Sequence, residues 1–158
     1  MAALTLAQAN RIIEAILERG GALGCRPLAV IVVEPGCKVK AFQKEDGSSM
    51  IRFEMAFGKA YAALALGRSS KLVRIRAEER PIFMRYLMSA SGEQIFAEGG
   101  GLQIRNLEGE VIGAVGVTGD TEERDEELAA HGFHSAGLKT DADFEGMGRN
   151  AGVRLTNR

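Results

Sequence analysis

The sequence predicts an α/β fold in which a mostly antiparallel sheet of about five strands lies between two layers of helices. Two apolar runs, Leu28–Val33 and Val111–Val117, carry this prediction because neither alternates with polar residues. Such runs are typical of strands that are covered on both faces. Short turns connect each run to a neighbouring strand, which predicts two antiparallel hairpins. Helices on both faces of such a sheet give a three-layer α-β-α arrangement.

The first helix is predicted over residues 5–19, where apolar side chains fall on one face of a helical wheel and charged ones on the other. Thr5 and Gln8 have the spacing of a capping box at its start. Gly20-Gly21 is expected to end it. The first hairpin follows, with strands at Leu28–Val33 and Lys38–Gln43.

The second helix is predicted over Met50–Leu66 and ends at Gly67. One face is expected to form its core stripe, which comprises Phe53, Phe57, Ala60 and Leu64. A different face carries two cations, Arg52 and Lys59, two turns apart with small alanines between them.

The middle of the chain predicts two short helices within residues 69–91, broken at Pro81 because proline interrupts a helix. Gln94–Ala97 is interpreted as a short strand. The second hairpin is then formed by Leu102–Asn106 and Glu110–Thr118.

The last predicted helix covers residues 121–131 and is strongly acidic, with Asp120 and Glu123 as its capping pair. From residue 132 the composition shifts toward glycine and the apolar residues lose any period. Residues 132–158 are therefore expected to be an extension that packs on the domain or on a neighbouring subunit.

Composition limits the classes of protein that fit. The 158 residues suffice for one domain, and 20 Lys plus Arg against 21 Asp plus Glu give a formal net charge of −1. This balance argues against a nucleic-acid partner, which usually needs a concentrated basic surface. The absence of a long apolar run and of a signal peptide argues against a membrane partner and predicts a cytoplasmic location. The two cysteines, Cys25 and Cys37, are expected to be reduced.

Three segments together resemble the GlcG/HbpS family of haem-binding or "haem-degrading" domains, which also forms the C-terminal half of one type of corrinoid adenosyltransferase. Pro27–Gly47 resembles the family's strand, turn, strand and "xxMDG" loop. Ala56–Arg68 is similar to its helix with a "KAxTAA" core, and Gly99–Ala129 to its "GGxPxxxxxxGxxxGAIGVSGGxxxxDxxxA" signature. The family-like domain is placed at residues 1–131.

The resemblance implies a profilin-like α-β-α fold and a homo-oligomer, often an octamer. It also implies haem as the first candidate ligand and a corrinoid as the second, and many family members are accessory proteins encoded beside catabolic enzymes. The sequence departs from the family pattern at Leu102 (usually proline), at Asp120 (usually glycine) and at Lys44-Glu45 before Asp46-Gly47. Its first helix contains no histidine that could bind haem iron.

Ligand-binding candidates cluster in three places. Arg52 and Lys59 could clamp a carboxylate or a haem propionate, or could belong to a solvated face or an ion pair. Gly99, Gly100 and Gly101, with Thr118, could form a pocket wall, or serve only turn and bulge geometry. Tyr61 and Met55 could face a planar ligand, or belong to the core.

A metal site is not predicted, since His131 and His134 are weak candidates without further ligands around them. No complete catalytic set is legible, and three functions stay open. The first is an oligomeric protein that binds haem or a related tetrapyrrole. The second is an enzyme of a catabolic pathway that holds a small organic acid with Lys59 and Arg52 and uses Glu98 or Glu54 for proton transfer. The third is an accessory or regulatory subunit.

Overall fold

The structure, a computed structural model, describes residues 3–145. The helices and strands follow in the order α1 (Leu6–Ala22), β1 (Ala29–Glu34), β2 (Lys38–Lys44), α2 (Arg52–Leu66), α3 (Ser70–Glu79), α4 (Pro81–Ala90), β3 (Gly101–Arg105), β4 (Val111–Thr118) and α5 (Glu122–Ser135). A short 3-10 turn, Ala142–Phe144, follows α5. Both predicted hairpins are present, and Pro81 separates α3 from α4 as predicted.

The sheet is antiparallel throughout, with the strand order β2-β1-β4-β3. The two apolar runs form its central strands, β1 and β4, whose residues from Ala29 to Val33 and from Ile112 to Thr118 are buried. The described residues contain four strands, one fewer than predicted. Residues 94–97 are not a strand, because the Phe96 amide donates to the Gly58 carbonyl of α2 at 3.1 Å instead of joining the sheet.

Helices cover both faces of the sheet. On one face α1 and α5 pack together over the largest buried cluster, which includes Ile12, Ile16, Val32 and Phe133. On the other face α2 packs on β4 and β1 through small side chains such as Ala56 and Ala60. The predicted three-layer α-β-α class is therefore confirmed.

The first helix begins as predicted and ends later. Thr5 and Gln8 form the capping box, with each side chain accepting from the backbone of the other residue. The predicted stop at Gly20-Gly21 is wrong, since the helix continues to Ala22. Gly20 is buried and packs so closely against Leu28 that a methyl group there would meet the leucine side chain at 2.5 Å. This glycine therefore serves packing rather than termination.

The faces of α2 differ in part from the sequence-based prediction. Ala60 of the predicted core stripe is fully buried, but the face that carries Lys59 is buried as well. Phe53 from the predicted core stripe is 37% exposed, whereas Lys59 on the predicted cation face is only 2% exposed. Ala56 and Ala63, which flank Lys59 on that face, are fully buried. The reason is steric: Gly116 of β4 lies directly against the Ala56 carbonyl, and only small side chains permit that approach. The helix starts at Arg52, two residues later than predicted.

The last helix is capped and terminated differently from the prediction. Its N-cap is Thr121, whose hydroxyl accepts from the Arg124 amide at 3.2 Å, so the expected Asp120–Glu123 pair is wrong. Asp120 instead accepts from the Arg26 amide at 2.9 Å. The helix runs through Gly132 to Ser135 because this glycine is buried in contact with Ile16 of α1.

Residues beyond α5 fold back on the domain as far as they are described. Lys139 exchanges two backbone hydrogen bonds of 2.8 Å with Arg105, and Leu138 and Phe144 are buried. Residues 146–158 of the predicted extension lie outside the described residues, so its packing stays a prediction.

Both cysteines are free, and burial raises the pKa of the Cys37 thiol to about 11.

Among the described helices, none has the length and apolar character needed to cross a membrane.

Candidate functional site

Lys59 of α2 lies at the centre of the candidate site, and its side chain is buried against β4 and α5. Its Nζ donates to the Val117 carbonyl at 2.9 Å and to Asp125 Oδ2 at 3.1 Å. The lysine and aspartate side chains are 2% and 1% exposed. Because a buried charge needs a partner, this ion pair joins α2 to the first turn of α5 across the end of β4.

Asp125 accepts a second hydrogen bond besides the one from Lys59. Its Oδ1 accepts from the Asp120 amide at 3.1 Å, which fixes the turn between β4 and α5. Burial raises the pKa of Asp125 above its usual range, and the charge of Lys59 opposes that rise. The sequence analysis did not single out this aspartate, although it occupies the Asp position of the family signature quoted above.

Arg52 points to the same end of β4 as Lys59. Its Nη1 donates to the Thr118 hydroxyl at 2.8 Å, and Thr118 is fully buried while Arg52 is partly exposed. The structure thus brings together three predicted site residues, Arg52, Lys59 and Thr118. Since Asp125 already balances the charge of Lys59, Arg52 is the cation of this pair that a ligand from solvent can reach.

The three glycines lie against protein atoms around the lysine. The Gly99 amide donates to Glu122 Oε1 at 2.8 Å, and the Gly101 amide donates to the Ser70 hydroxyl at 2.7 Å. Gly100 has a φ of +124°, and its Cα faces Lys59 so closely that a methyl group would lie 3.0 Å from Nζ. The run therefore allows β3 to approach α2, and its role as a pocket wall stays a prediction.

An ion-pair network borders the glycines and was also missed from sequence. Arg74 of α3 donates from Nε to Glu122 at 2.6 Å and from Nη1 to Glu78 at 2.8 Å. Burial alone would raise the pKa of Glu122, but hydrogen bonds from Arg74 and the Gly99 amide hold it below its usual range. Glu98, the predicted proton-transfer candidate, is half-buried beside this network, and Glu54 is exposed on α2. The i,i+4 spacing of Arg74 and Glu78 was a sequence signal for their pair. The pair of Arg74 with Glu122, 48 residues apart, had none, because tertiary contact creates it.

Tyr61 lies on the other side of α2 and belongs to a row of four rings. Phe42 of β2 meets Phe53 edge-on at 4.9 Å between centroids; Phe53 then stacks on Phe57 at 6.3 Å, and Phe57 contacts Tyr61 at 6.1 Å. We call these four residues the aromatic row. Met55, paired with Tyr61 in the sequence-based prediction, instead contacts Arg52 through its sulfur at 3.7 Å.

The structure places both histidines on α5. His134 is exposed and its Nε2 lies 2.8 Å from Asp143 Oδ2. Burial would raise the pKa of Asp143, but hydrogen bonds with the Thr140 amide and with His134 hold that pKa below its usual range. His131 is half-buried on α5. Within residues 3–145 no three His, Cys, Asp or Glu side chains converge in a way that could hold a metal ion.

One family model matches most of the chain. The family model described as "Haem degrading protein HbpS-like" matches residues 4–134. An uncharacterized 15.0 kDa protein from the dhaT-dhaS intergenic region of Citrobacter freundii is 32% identical over 130 residues, which cover 82% of this chain and 89% of that protein.

Solved structures share the fold. The Klebsiella pneumoniae protein ORFY superposes with a TM-score of 0.75 at 23% identity, covering 86% of this chain and 92% of that one. A complex of PduOC with heme superposes with a TM-score of 0.73 at 21% identity, covering 88% and 99%.

Proposed function

The chain belongs to the HbpS-like family of haem-degrading proteins, and from this premise we propose that it binds haem on the aromatic row of α2. The observation that carries the proposal is the unbroken series of ring contacts from Phe42 to Tyr61 on a face where Phe53 is 37% exposed. A porphyrin is flat and apolar over most of its area, and it stacks on aromatic side chains. The heme complex of the structural neighbour PduOC supports the choice of ligand.

The residues around the aromatic row offer haem iron a phenol oxygen as a ligand rather than an imidazole nitrogen. Haem iron is held in proteins by His, Cys, Met or Tyr. The two histidines lie on α5, across the sheet from α2, whereas Tyr61 belongs to the row itself. We therefore assign the Tyr61 phenol as the candidate iron ligand. When bound, haem would supply the iron for oxygen or electron-transfer chemistry, and the row would shield one face of it from water.

The propionates of haem also have a candidate partner, Arg52. Haem carries two propionates, and guanidinium groups bind carboxylates well. Arg52 immediately precedes Phe53 and is partly exposed at the start of α2, so we assign it to a propionate, for which its guanidinium would turn from the Thr118 hydroxyl toward the row. Lys59 is the weaker candidate, because a propionate would have to compete with Asp125 for it.

A hemin titration tests the proposal. The wild-type protein should give a saturable shift of the Soret band, Phe57→Ala should weaken binding by about tenfold, and Tyr61→Phe should change the spectrum of the bound ferric haem. Leu107→Ala and Tyr86→Phe are matched controls, since both residues are exposed but lie in the β3–β4 turn and on α4. No Soret shift, or equal affinity in Phe57→Ala and Leu107→Ala, would reject the site. Cobalamin in a parallel titration tests the corrinoid alternative.

Self-association is proposed through the outer face of α4. Ile82 and Tyr86 are 78% and 70% exposed one turn apart, and Met84 is the only buried residue of this helix. Cations at Arg80 and Arg85 flank this face, next to the acidic Glu78-Glu79 at the end of α3, so two copies can match opposite charges. Light scattering should show an oligomer for the wild type and a smaller species for Ile82→Asp. An unchanged mass would exclude this face.

The other functions stay predictions with tests of their own. A catabolic enzyme for a small organic acid would need Arg52 and Lys59, so an Arg52→Gln variant with unchanged turnover would remove that alternative. An accessory or regulatory role, and the expected cytoplasmic location, depend on partners and compartment that the fold does not specify.

A further inference from the structure

A cleft of about 580 Å³ lies between α3, α5 and the residues that follow Leu138. Its apolar lining comes from both helices and from β3, and comprises Leu72, Ile75, Leu102 and Ala130. It lies on a different part of the surface from the aromatic row. We call it the acidic cleft, because its charged lining is dominated by carboxylates.

The carboxylates of the acidic cleft exceed its cations. Glu123, Glu126 and Glu127 line it from α5, and among the described lining residues Lys71 is the single cation. Within the described part of the chain, Glu123 and Glu126 have no ion pair. The cleft therefore carries a negative charge that the described residues do not balance.

Glu126 is the most informative of these residues. Its Oε2 atom is buried, yet it accepts no hydrogen bond from residues 3–145. Burial, together with Glu122 and Glu123 nearby, raises the pKa of Glu126, and Lys71 on α3 opposes that rise. An acceptor that is withdrawn from water and left without a donor is costly, and natural structures rarely keep one without a partner.

The chain itself carries a matching segment. Glu145 lines the cleft, and residues 146–158 follow it directly in sequence. They contain three arginines (Arg149, Arg154 and Arg158) and no Asp or Glu, and their apolar residues include Val153 and Leu155. Thirteen residues reach about 40 Å when extended, several times what is needed to cross such a cleft.

We propose that the acidic cleft is the docking site of residues 146–158 of the same chain. The arginines supply donors and charge to Glu123 and Glu126, and the apolar residues cover the floor formed by Leu72 and Ile75. The same-chain assignment follows from the position of Glu145, because attachment at the cleft gives the segment a high effective concentration there. The proposal is independent of haem binding.

Limited trypsin digestion of the full chain tests the proposal, with released peptides measured by mass spectrometry. Docking shields the bonds after Arg149 and Arg154, so Glu123→Gln/Glu126→Gln should speed cleavage there by about threefold or more. Raising the salt concentration should do the same for the wild type, because it screens the attraction. The matched control Glu18→Gln/Glu108→Gln removes two exposed carboxylates outside the cleft and should cleave like the wild type.

Three results would overturn the proposal. Equal cleavage rates in the cleft variant and the wild type would show that the cleft does not hold the segment. Faster cleavage in both the cleft variant and the control would show that net charge, not the cleft, protects it. Protection that grows with protein concentration would assign the segment to the cleft of a neighbouring copy. Circular dichroism on each variant confirms that the fold is retained.

Discussion

Lys59 and Asp125 form an ion pair of 3.1 Å that is almost wholly removed from solvent, and it connects the helix on one face of the sheet to a helix on the other. The pair reaches past the end of β4, where Val117 supplies a further acceptor. Neither side chain can lose its partner without leaving a buried charge. The connection between the two helical layers therefore depends on both residues together.

Removing either partner should destabilise the protein strongly. Lys59→Met leaves the Asp125 carboxylate buried without a counter-charge, and we expect a loss of about 3–5 kcal/mol in the free energy of unfolding. Lys59→Met/Asp125→Leu should cost less than the sum of the single variants. The exposed pair Arg11–Glu14, at 2.6 Å, is the matched control, and Arg11→Gln should cost less than about 1 kcal/mol. Urea denaturation at fixed protein concentration measures Lys59→Met, Asp125→Leu, the double variant and Arg11→Gln. A double variant that loses as much stability as the two single variants together would contradict the coupling.

Glu122 should give stability that depends on pH. Its pKa in the folded protein is below the ordinary value of 4.5, since Arg74 and the Gly99 amide favour the carboxylate over the opposing effect of burial. The contribution is therefore present above pH 4.5 and is lost as the pH falls through the folded pKa.

The matched comparison uses the two carboxylates that share Arg74. Glu122→Gln should be less stable than the wild type at pH 7, with a difference that shrinks below pH 4.5. Glu78, 65% exposed, should tolerate the same change with a smaller effect. Thermal unfolding between pH 3 and 8 measures both, and a Glu122→Gln difference independent of pH would refute the assignment.

Gly116 should not tolerate a methyl group. Its Cα lies against the Ala56 carbonyl of α2, so Gly116→Ala pushes the helix away from β4 and should cost about 3 kcal/mol. Gly21 is the control, because nothing lies within 4 Å of a methyl group there and it is exposed on α1. Gly21→Ala should be neutral or stabilising by about 0.5–1 kcal/mol. Equal effects in chemical denaturation would contradict this account of the α2–β4 contact.

The sequence by itself determined the local elements. Capping chemistry located the start of α1 at Thr5, Pro81 divided α3 from α4, and the two runs without alternation identified the central strands β1 and β4. These features follow from backbone sterics and hydrophobic pattern, which neighbouring residues carry. The motif resemblance added the family, which the family match confirms.

Only the tertiary structure decided which face of α2 is buried and which groups meet there. Phe53 looked like core and Lys59 like surface, because a residue's polarity predicts its exposure when no partner is known. The close approach of Gly116 to Ala56 buries the face of α2 that carries Lys59, and Asp125, 66 positions along the chain, supplies the counter-charge that the buried lysine needs. Contacts over such separations depend on how layers pack, and no local pattern records them.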